Sequence, residues 1–280
     1  MKSQAALEYL TTYGWALLVI AVVIILLAEL NVFNPNFWTA KQQPGMCTVL
    51  RSQFGSASLS CSGTSLLPEF VMQLNGNGYV SIPNSALIDS GNQYTISVWV
   101  KTAYATNTII WTAGDGRTSG YQLYLYNGYP ALWTPLGTII SSKLVNDNSW
   151  HQIVGVFPST GAGSVYVDGV ISTSNSIGSI ATSGNNLIGS QPISGYNLYY
   201  YGNISNVQLY NTSLSSNVIQ ELYVKGIGGA PITLQSLVGW WPLNGNANDY
   251  SGTGPFGKGD SGTATNAIYT NDWYSNYITP

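Results

Sequence analysis

Few side chains in this sequence could do chemistry, and their spacing limits what they could do together. There is one histidine, His151, and there are four glutamates, Glu8, Glu29, Glu69 and Glu221. Glycoside hydrolysis needs an acid and a base flanking the scissile bond, commonly as closely spaced carboxylates on one strand. No such pair is present. A nucleophilic triad needs a base held by an orienting acid, and His151 lies in Ser149-Trp-His-Gln-Ile-Val, where an edge or packing role outweighs a catalytic one. Two cysteines and one histidine cannot make a four-ligand zinc centre of the usual kind. A net charge of −3 without a basic cluster leaves nothing to release counterions from a phosphate backbone, which argues against nucleic acid as a partner. The expectation is a chain that is not an enzyme.

The elements that must position these residues are legible in the composition. Only 7% of the 280 residues are charged, against roughly 25% in soluble domains. Polarity comes from Asn, Ser, Thr and Gly, while 9 Trp and 20 Tyr supply rings suited to pleated surfaces. This composition reads as mainly β and extracytoplasmic. Cys47 and Cys61, 14 residues apart in a Ser/Gly-rich segment, fit one structural disulfide in an oxidising compartment. If the domain faced the cytoplasm, two unlinked thiols would be the better reading.

The amino-terminal segment is different in kind. Tyr9 to Ala28 contains 20 residues without a charge, and as a helix it would span roughly 30 Å, the thickness of a hydrocarbon core. A membrane is therefore an expected partner. No Ala-x-Ala site follows, which disfavours ordinary secretion. Glu8 stands at the lip of the apolar run, where a carboxylate needs a partner. The stretch Ser3-Gln4-Ala5-Ala6-Leu7-Glu8-Tyr9-Leu10, with the following Thr-Thr-Tyr-Gly-Trp-Ala, resembles the class III signal peptide of archaeal type IV pilin-like proteins. That resemblance implies a prepilin peptidase that cuts between Ser3 and Gln4 and leaves Glu8 fifth in the mature chain. The new α-amine could then neutralise Glu8 of a neighbouring pilin-like subunit. The rival is an uncleaved signal anchor with Glu8 among headgroups. The segments expected are a leader 1–3, an apolar transmembrane or pilin helix 4–31, a linker with a disulfide loop 32–69, a β domain 70–225 and a carboxyl-terminal segment 226–280.

From Phe70 onward, short runs of Val, Ile, Tyr and Trp alternate with Gly, Asn and Ser clusters, the pattern of many strands joined by turns. Ten strands are expected between Phe70 and Tyr210, enough to require two sheets. Asp168-Gly169 marks a tight hairpin in which Asp168 is only a turn residue. Ser215 to Lys225 is the one expected helix of the domain. Five pieces in order resemble the laminin G-like, concanavalin A-like jelly-roll family. They are Leu74-Asn-Gly-Asn-Gly-Tyr-Val-Ser-Ile-Pro83, Tyr94-Thr-Ile-Ser-Val-Trp-Val-Lys101, Ser149-Trp-His-Gln-Ile-Val-Gly155, Ser164-Val-Tyr-Val-Asp-Gly169 and Gly202-Asn-Ile-Ser-Asn-Val-Gln-Leu-Tyr-Asn211. The resemblance implies an antiparallel two-sheet sandwich that binds glycan or protein, sometimes with Ca²⁺.

Leu237-Val-Gly-Trp240-Trp241-Pro-Leu-Asn-Gly-Asn resembles that family's opening strand but stands at the wrong end. Either the sandwich is permuted, with one of Trp240 and Trp241 inside and the other nearer solvent, or the tail is a truncated second copy. Asn248, Asp249 and Ser251 form an oxygen-rich loop that could hold Ca²⁺, with Asp115 a distant candidate, or could be a solvated turn. Tyr196-Asn-Leu-Tyr199-Tyr200-Tyr201 could stack on sugars, although Tyr is abundant throughout. Asn203-Ile-Ser205 and Asn211-Thr-Ser213 are glycosylation sequons, usable if this part of the chain is extracellular. The functional expectation is a cell-surface pilin-like structural or adhesion subunit whose extracellular laminin G-like domain binds a glycan or surface protein. The alternatives are a singly anchored glycan-binding protein and, more distantly, an anchored glycan hydrolase.

Overall fold

The computed structural model divides into two compact units, residues 1–43 and 44–280. It describes residues 18–23, 47–51, 56–61, 67–83, 92–115, 118–177, 186–191, 198–253 and 260–280. In the first unit residues 18–23 are helical. Among the described residues no helix is long and apolar enough to cross a membrane. The signal residues Ser3, Gln4 and Glu8, and most of the expected apolar helix, lie outside the described residues.

The second unit begins with a hairpin, β1 (Cys47–Arg51) and β2 (Ala57–Cys61), followed by the long strand β3 (Val71–Ile82). Next come β4 (Tyr94–Lys101), β5 (Thr108–Ala113), β6 (Tyr121–Tyr126), β7 (Tyr129–Thr134) and β8 (Gly137–Ile140). After them run β9 (Trp150–Phe157), β10 (Ala162–Val167), β11 (Val170–Ser176), β12 (Asn186–Ile188) and β13 (Tyr201–Tyr210). The helix α1 (Ser216–Val224) precedes β14 (Leu237–Trp241) and β15 (Thr263–Thr270). Two hairpins are set by residue type. Asn127 and Gly128 between β6 and β7, and Asp168 and Gly169 between β10 and β11, all take positive φ. A two-residue turn of that hand matches the twist of its strands.

Among the described residues all pairings are antiparallel; eleven strands of the thirteen-stranded sheet run in the order β11-β10-β9-β4-β13-β3-β12-β5-β6-β7-β8, with β14 joined to β13 and β15 to β3. It folds over at β3. Met72 to Asn75 pair with β13, whereas Val80 to Ile82 pair with β12, so one strand serves both layers. Sequence reading splits this strand at its glycines. The two layers meet in one core: Tyr121 of β6 lies 5.0 Å from Tyr94 of β4 and 4.8 Å from Phe157 of β9, ring centre to ring centre. This is the expected sandwich, mainly β and antiparallel.

The outer face of the first layer is also covered, which is why every residue of β4 and of β9 is buried instead of alternating. One cluster there joins Val154, Val156, Tyr166 and Tyr210 to Ile219 and Leu222 of α1, Trp240 of β14, and Cys47 and Val49 of the hairpin. A third cluster holds Trp99, Trp150, Ile227 and Trp273.

Two expectations are refined here. First, the described part of the expected linker with its disulfide loop, 32–69, includes the hairpin of β1 and β2. Cys47 and Cys61 are disulfide-bonded, the Val49 amide donates to the Tyr250 carbonyl at 2.9 Å, and Arg51 donates to the carbonyls of Leu234 and Leu237 at 2.8 and 2.6 Å. Burial of Val49 and these two acceptors for Arg51, with the Ser251 carbonyl at 3.1 Å as a third, dock the hairpin onto the sandwich. Second, β14 pairs with Val207 to Tyr210 of β13, as a displaced opening strand would, but neither tryptophan is near solvent. Trp241 points into the main core, 5.7 Å from Trp111, and Trp240 points outward into the second cluster. The alternation holds, but both faces are covered. β15 runs along β3, so the tail belongs to this sandwich and forms no separate unit.

Candidate functional site

The outer face of the second layer differs from that of the first. Leu123, Leu125, Leu132 and Ile139 point into the core, so by strand alternation Gln122, Tyr124 and Tyr126 of β6 and Tyr129, Ala131 and Trp133 of β7 point away from it. Tyr126 is directly opposite Tyr129, Tyr124 opposite Ala131, and Gln122 opposite Trp133. Four rings thus surround one alanine on a single hairpin. Tyr126 and Tyr129 are 41% and 37% exposed, and Trp133 and Tyr124 are half-buried. Thr112 of β5 continues the Gln122 row, and its buried Oγ1 has no hydrogen-bond partner among the described residues. Burial, together with neighbouring Tyr126, holds the Tyr124 hydroxyl above its ordinary pKa, partly offset by its hydrogen bond to Thr138.

None of the strands β3, β5, β6, β7, β8 and β12 contains a charged residue. Rings of this kind present apolar faces with a few polar atoms between them, which matches the alternating apolar faces and hydroxyls of a neutral sugar. Sequence reading places these residues on strands without singling them out. The available signal is the period-two pattern in Tyr121-Gln-Leu-Tyr-Leu-Tyr126 and Tyr129-Pro-Ala-Leu-Trp133, whose outward half is unusually aromatic.

The aromatic run that the sequence does single out is dispersed. Tyr196 lies outside the described residues. Tyr199 bridges Ser190, and Tyr200 is fully buried, its hydroxyl directed at the Lys101 and Asn203 carbonyls. Tyr201 is exposed and stacks on Tyr104, 4.3 Å from ring centre to ring centre.

The oxygen-rich loop is organised around a buried carboxylate. Asp249 accepts from the Trp240, Ser251 and Asp260 amides at 2.8–2.9 Å and from the Ser251 hydroxyl at 3.0 Å. Burial pushes its carboxyl up to about 6 despite these donors. Asn248 is exposed. The carboxylate expected at a calcium site is therefore already filled by protein donors that tie β14 to its loop. Asp115 likewise caps its own turn, accepting from the Thr118 and Ser119 amides at 2.8 Å. Among the described residues no group of three or more His, Cys, Asp or Glu could hold a metal.

The two sequons are in unlike settings. Asn203 is half-buried within β13, between Gln73 of β3 and Lys101 of β4. Asn211 is exposed just beyond the strand's end.

His151 and Asp168 are more than packing and turn residues. His151 Nδ1 lies 2.9 Å from Asp168 and Nε2 lies 3.1 Å from Asp147. Asp168 also accepts from Lys143 at 2.6 Å and from the Gln152 amide at 3.1 Å. Sequence spacing hides this cluster because β9 and the β10–β11 turn become neighbours only when the strands pair.

The fold agrees with what the chain is similar to. No curated protein matches it. A solved structure from Bacteroides ovatus, provisionally described as a carbohydrate-binding protein, superposes with a TM-score of 0.59 at 15% identity, over 82% of this chain and 70% of that one. The native heptameric SAP-like pentraxin of Limulus polyphemus superposes with a TM-score of 0.53 at 13% identity, over 74% and 96%. These likenesses establish the fold. The laminin G-type family model of the concanavalin A-like lectin/glucanases superfamily matches residues 74–220, just over half of the chain, and the chain belongs to that family.

Proposed function

We infer that this protein is a surface subunit whose head recognises a neutral glycan with the aromatic face of β6 and β7. The observation that carries this reading is the grouping of Tyr124, Tyr126, Tyr129 and Trp133 on strands without a single charge. These strands themselves supply no counter-ion for a charged ligand, whereas ring stacking needs none. The face holds no carboxylate pair for acid–base cleavage of a glycosidic bond, so the reading is binding without hydrolysis. Retention of the full chain in gels containing neutral polysaccharides tests it. Trp133→Ala should weaken retention about tenfold or more, since one buried stacking ring contributes on the order of 1–2 kcal/mol with its area. Equal retention of the variant, or none of the wild-type chain on any neutral polysaccharide, would overturn the reading.

In the same reading the head is carried on a pilin-like stem, supported by Glu8 beside the uncharged run Tyr9 to Ala28. Mass spectrometry of the native amino terminus should find a chain starting at Gln4. A surface protein that retains Lys2 would be a singly anchored receptor instead.

A further inference from the structure

His151 stands between two carboxylates, one facing each ring nitrogen. A neutral imidazole has one N–H and could satisfy only one of them; the other nitrogen would turn a lone pair toward a carboxylate oxygen. Only the imidazolium donates to both. We propose that His151 is a proton-operated latch: as an imidazolium it holds the loop between β8 and β9 and, through it, the hairpin tip that presents Tyr126 and Tyr129.

Each step of this connection is a contact. Asp147 belongs to that loop, and its carboxylate is shared between His151 and the Ser149 amide, the latter at 2.8 Å. Lys143 ties the start of the same loop to Asp168. Between these two anchors, the Val145 amide donates to the Gly128 carbonyl at 3.0 Å. A Cβ at Gly128 would lie 2.6 Å from the Asn146 side chain. Gly128 is the turn residue between Tyr126 and Tyr129. The far end of the loop is held by the Asn148 amide on the Thr102 carbonyl at 2.9 Å.

The titratable groups around the latch set its direction. Burial opposes charge on His151, but hydrogen bonds and attraction from Asp168 and then Asp147 outweigh it, so its pKa lies above the usual histidine value. Both carboxyls are held below theirs against the effect of burial, Asp147 by the Ser149 amide and His151, Asp168 by His151 and Lys143. Tyr223 of α1 also faces Asp168. The latch is therefore closed below the ordinary histidine pKa and is released as pH rises through the raised one. The consequence for ligand rests on the reading of the aromatic face above; the latch does not.

Because the chain has one histidine, its ring resonances identify themselves in a pH titration of the full chain in detergent. The expected midpoint is above that of an unperturbed histidine. Across that midpoint, hydrogen exchange at Val145 and residues 126–129, corrected for intrinsic base catalysis, should rise about tenfold, as for loss of one charge-assisted hydrogen bond. His151→Gln should exchange fast at every pH. Should that variant fail to fold, Asp147→Asn, on an exposed side chain, should lower the histidine midpoint and flatten the pH dependence at Val145. A midpoint at or below the ordinary value, or corrected exchange unchanged across it, would overturn the latch. Neither readout requires a ligand, so a failure to bind glycan leaves this test intact.

Discussion

A chain ending at Gln235 is expected not to fold, whatever its temperature. Removing residues 236–280 takes β14 from the flank of β13 and β15 from the flank of β3, opening two edges at once. It empties the spaces of Trp241 and Trp273, both fully buried. Loss of one buried tryptophan side chain costs about 3–5 kcal/mol. Two such losses, about 6–10 kcal/mol, are as large as the whole stability of a chain in the lower half of the roughly 5–15 kcal/mol that ordinarily separates folded from unfolded states. Polar partners go as well. Arg51 loses the Leu237 and Ser251 carbonyls, Lys101 loses Ser275, and the Trp150 indole loses the Trp273 carbonyl. Circular dichroism against temperature is the measurement; a cooperative transition at the wild-type temperature would mean that the tail is an appendage.

The second large effect is expected at Asn206, which sits on the covered outer face of the first layer. Its amide nitrogen donates to the Gly229 carbonyl at 2.8 Å, and its oxygen accepts from the Trp240 indole at 2.8 Å and from Gln208 at 3.0 Å. Gln208 in turn accepts from the Tyr210 hydroxyl at 2.7 Å. Asn206 therefore holds β13, β14 and the segment after α1 together. Asn206→Leu leaves the indole N–H and one Gln208 N–H buried without an acceptor, at about 1–3 kcal/mol each. It also places a branched side chain at φ +50°, a backbone region that asparagine tolerates better, adding about 1 kcal/mol. The expected total is about 4 kcal/mol, a fall of roughly 10 °C in melting temperature for a domain of this size. Asn206→Gly relieves the backbone but not the lost bonds, and should recover only about 1 kcal/mol of it. If denaturant unfolding shows less than about 1 kcal/mol for the leucine variant, water replaces the network and the argument fails.

What the sequence determined by itself was local. Period-two patterning and glycine- and asparagine-rich turns specify most strands, because alternation and positive φ are properties of neighbouring residues: the Asp168-Gly169 turn and the strand Tyr94–Lys101 are both legible in this way. The Cys47–Cys61 bond is the pairing that residue type and separation favour over free thiols, and the structure forms it. The expected strand slot for Leu237–Trp241 follows from its resemblance to a family strand, and the structure fills that slot.

The tertiary structure decided everything that depends on what covers a face. Trp240 and Trp241 alternate as a strand requires, yet both are buried, since α1 and the disulfide hairpin cover the side that alternation alone assigns to solvent. Asp249 belongs to an oxygen-rich loop by sequence, but four donors from three separate stretches of chain converge on it only after β14 docks. His151 and Asp168, 17 residues apart, become partners through the pairing of β9 with β10. The aromatic face arises the same way: Tyr124, Tyr126, Tyr129 and Trp133 occupy one surface because of hairpin register and because the opposite side of that hairpin is buried in the core. Alternation says which residues share a side; only packing against the other layer says which side meets water.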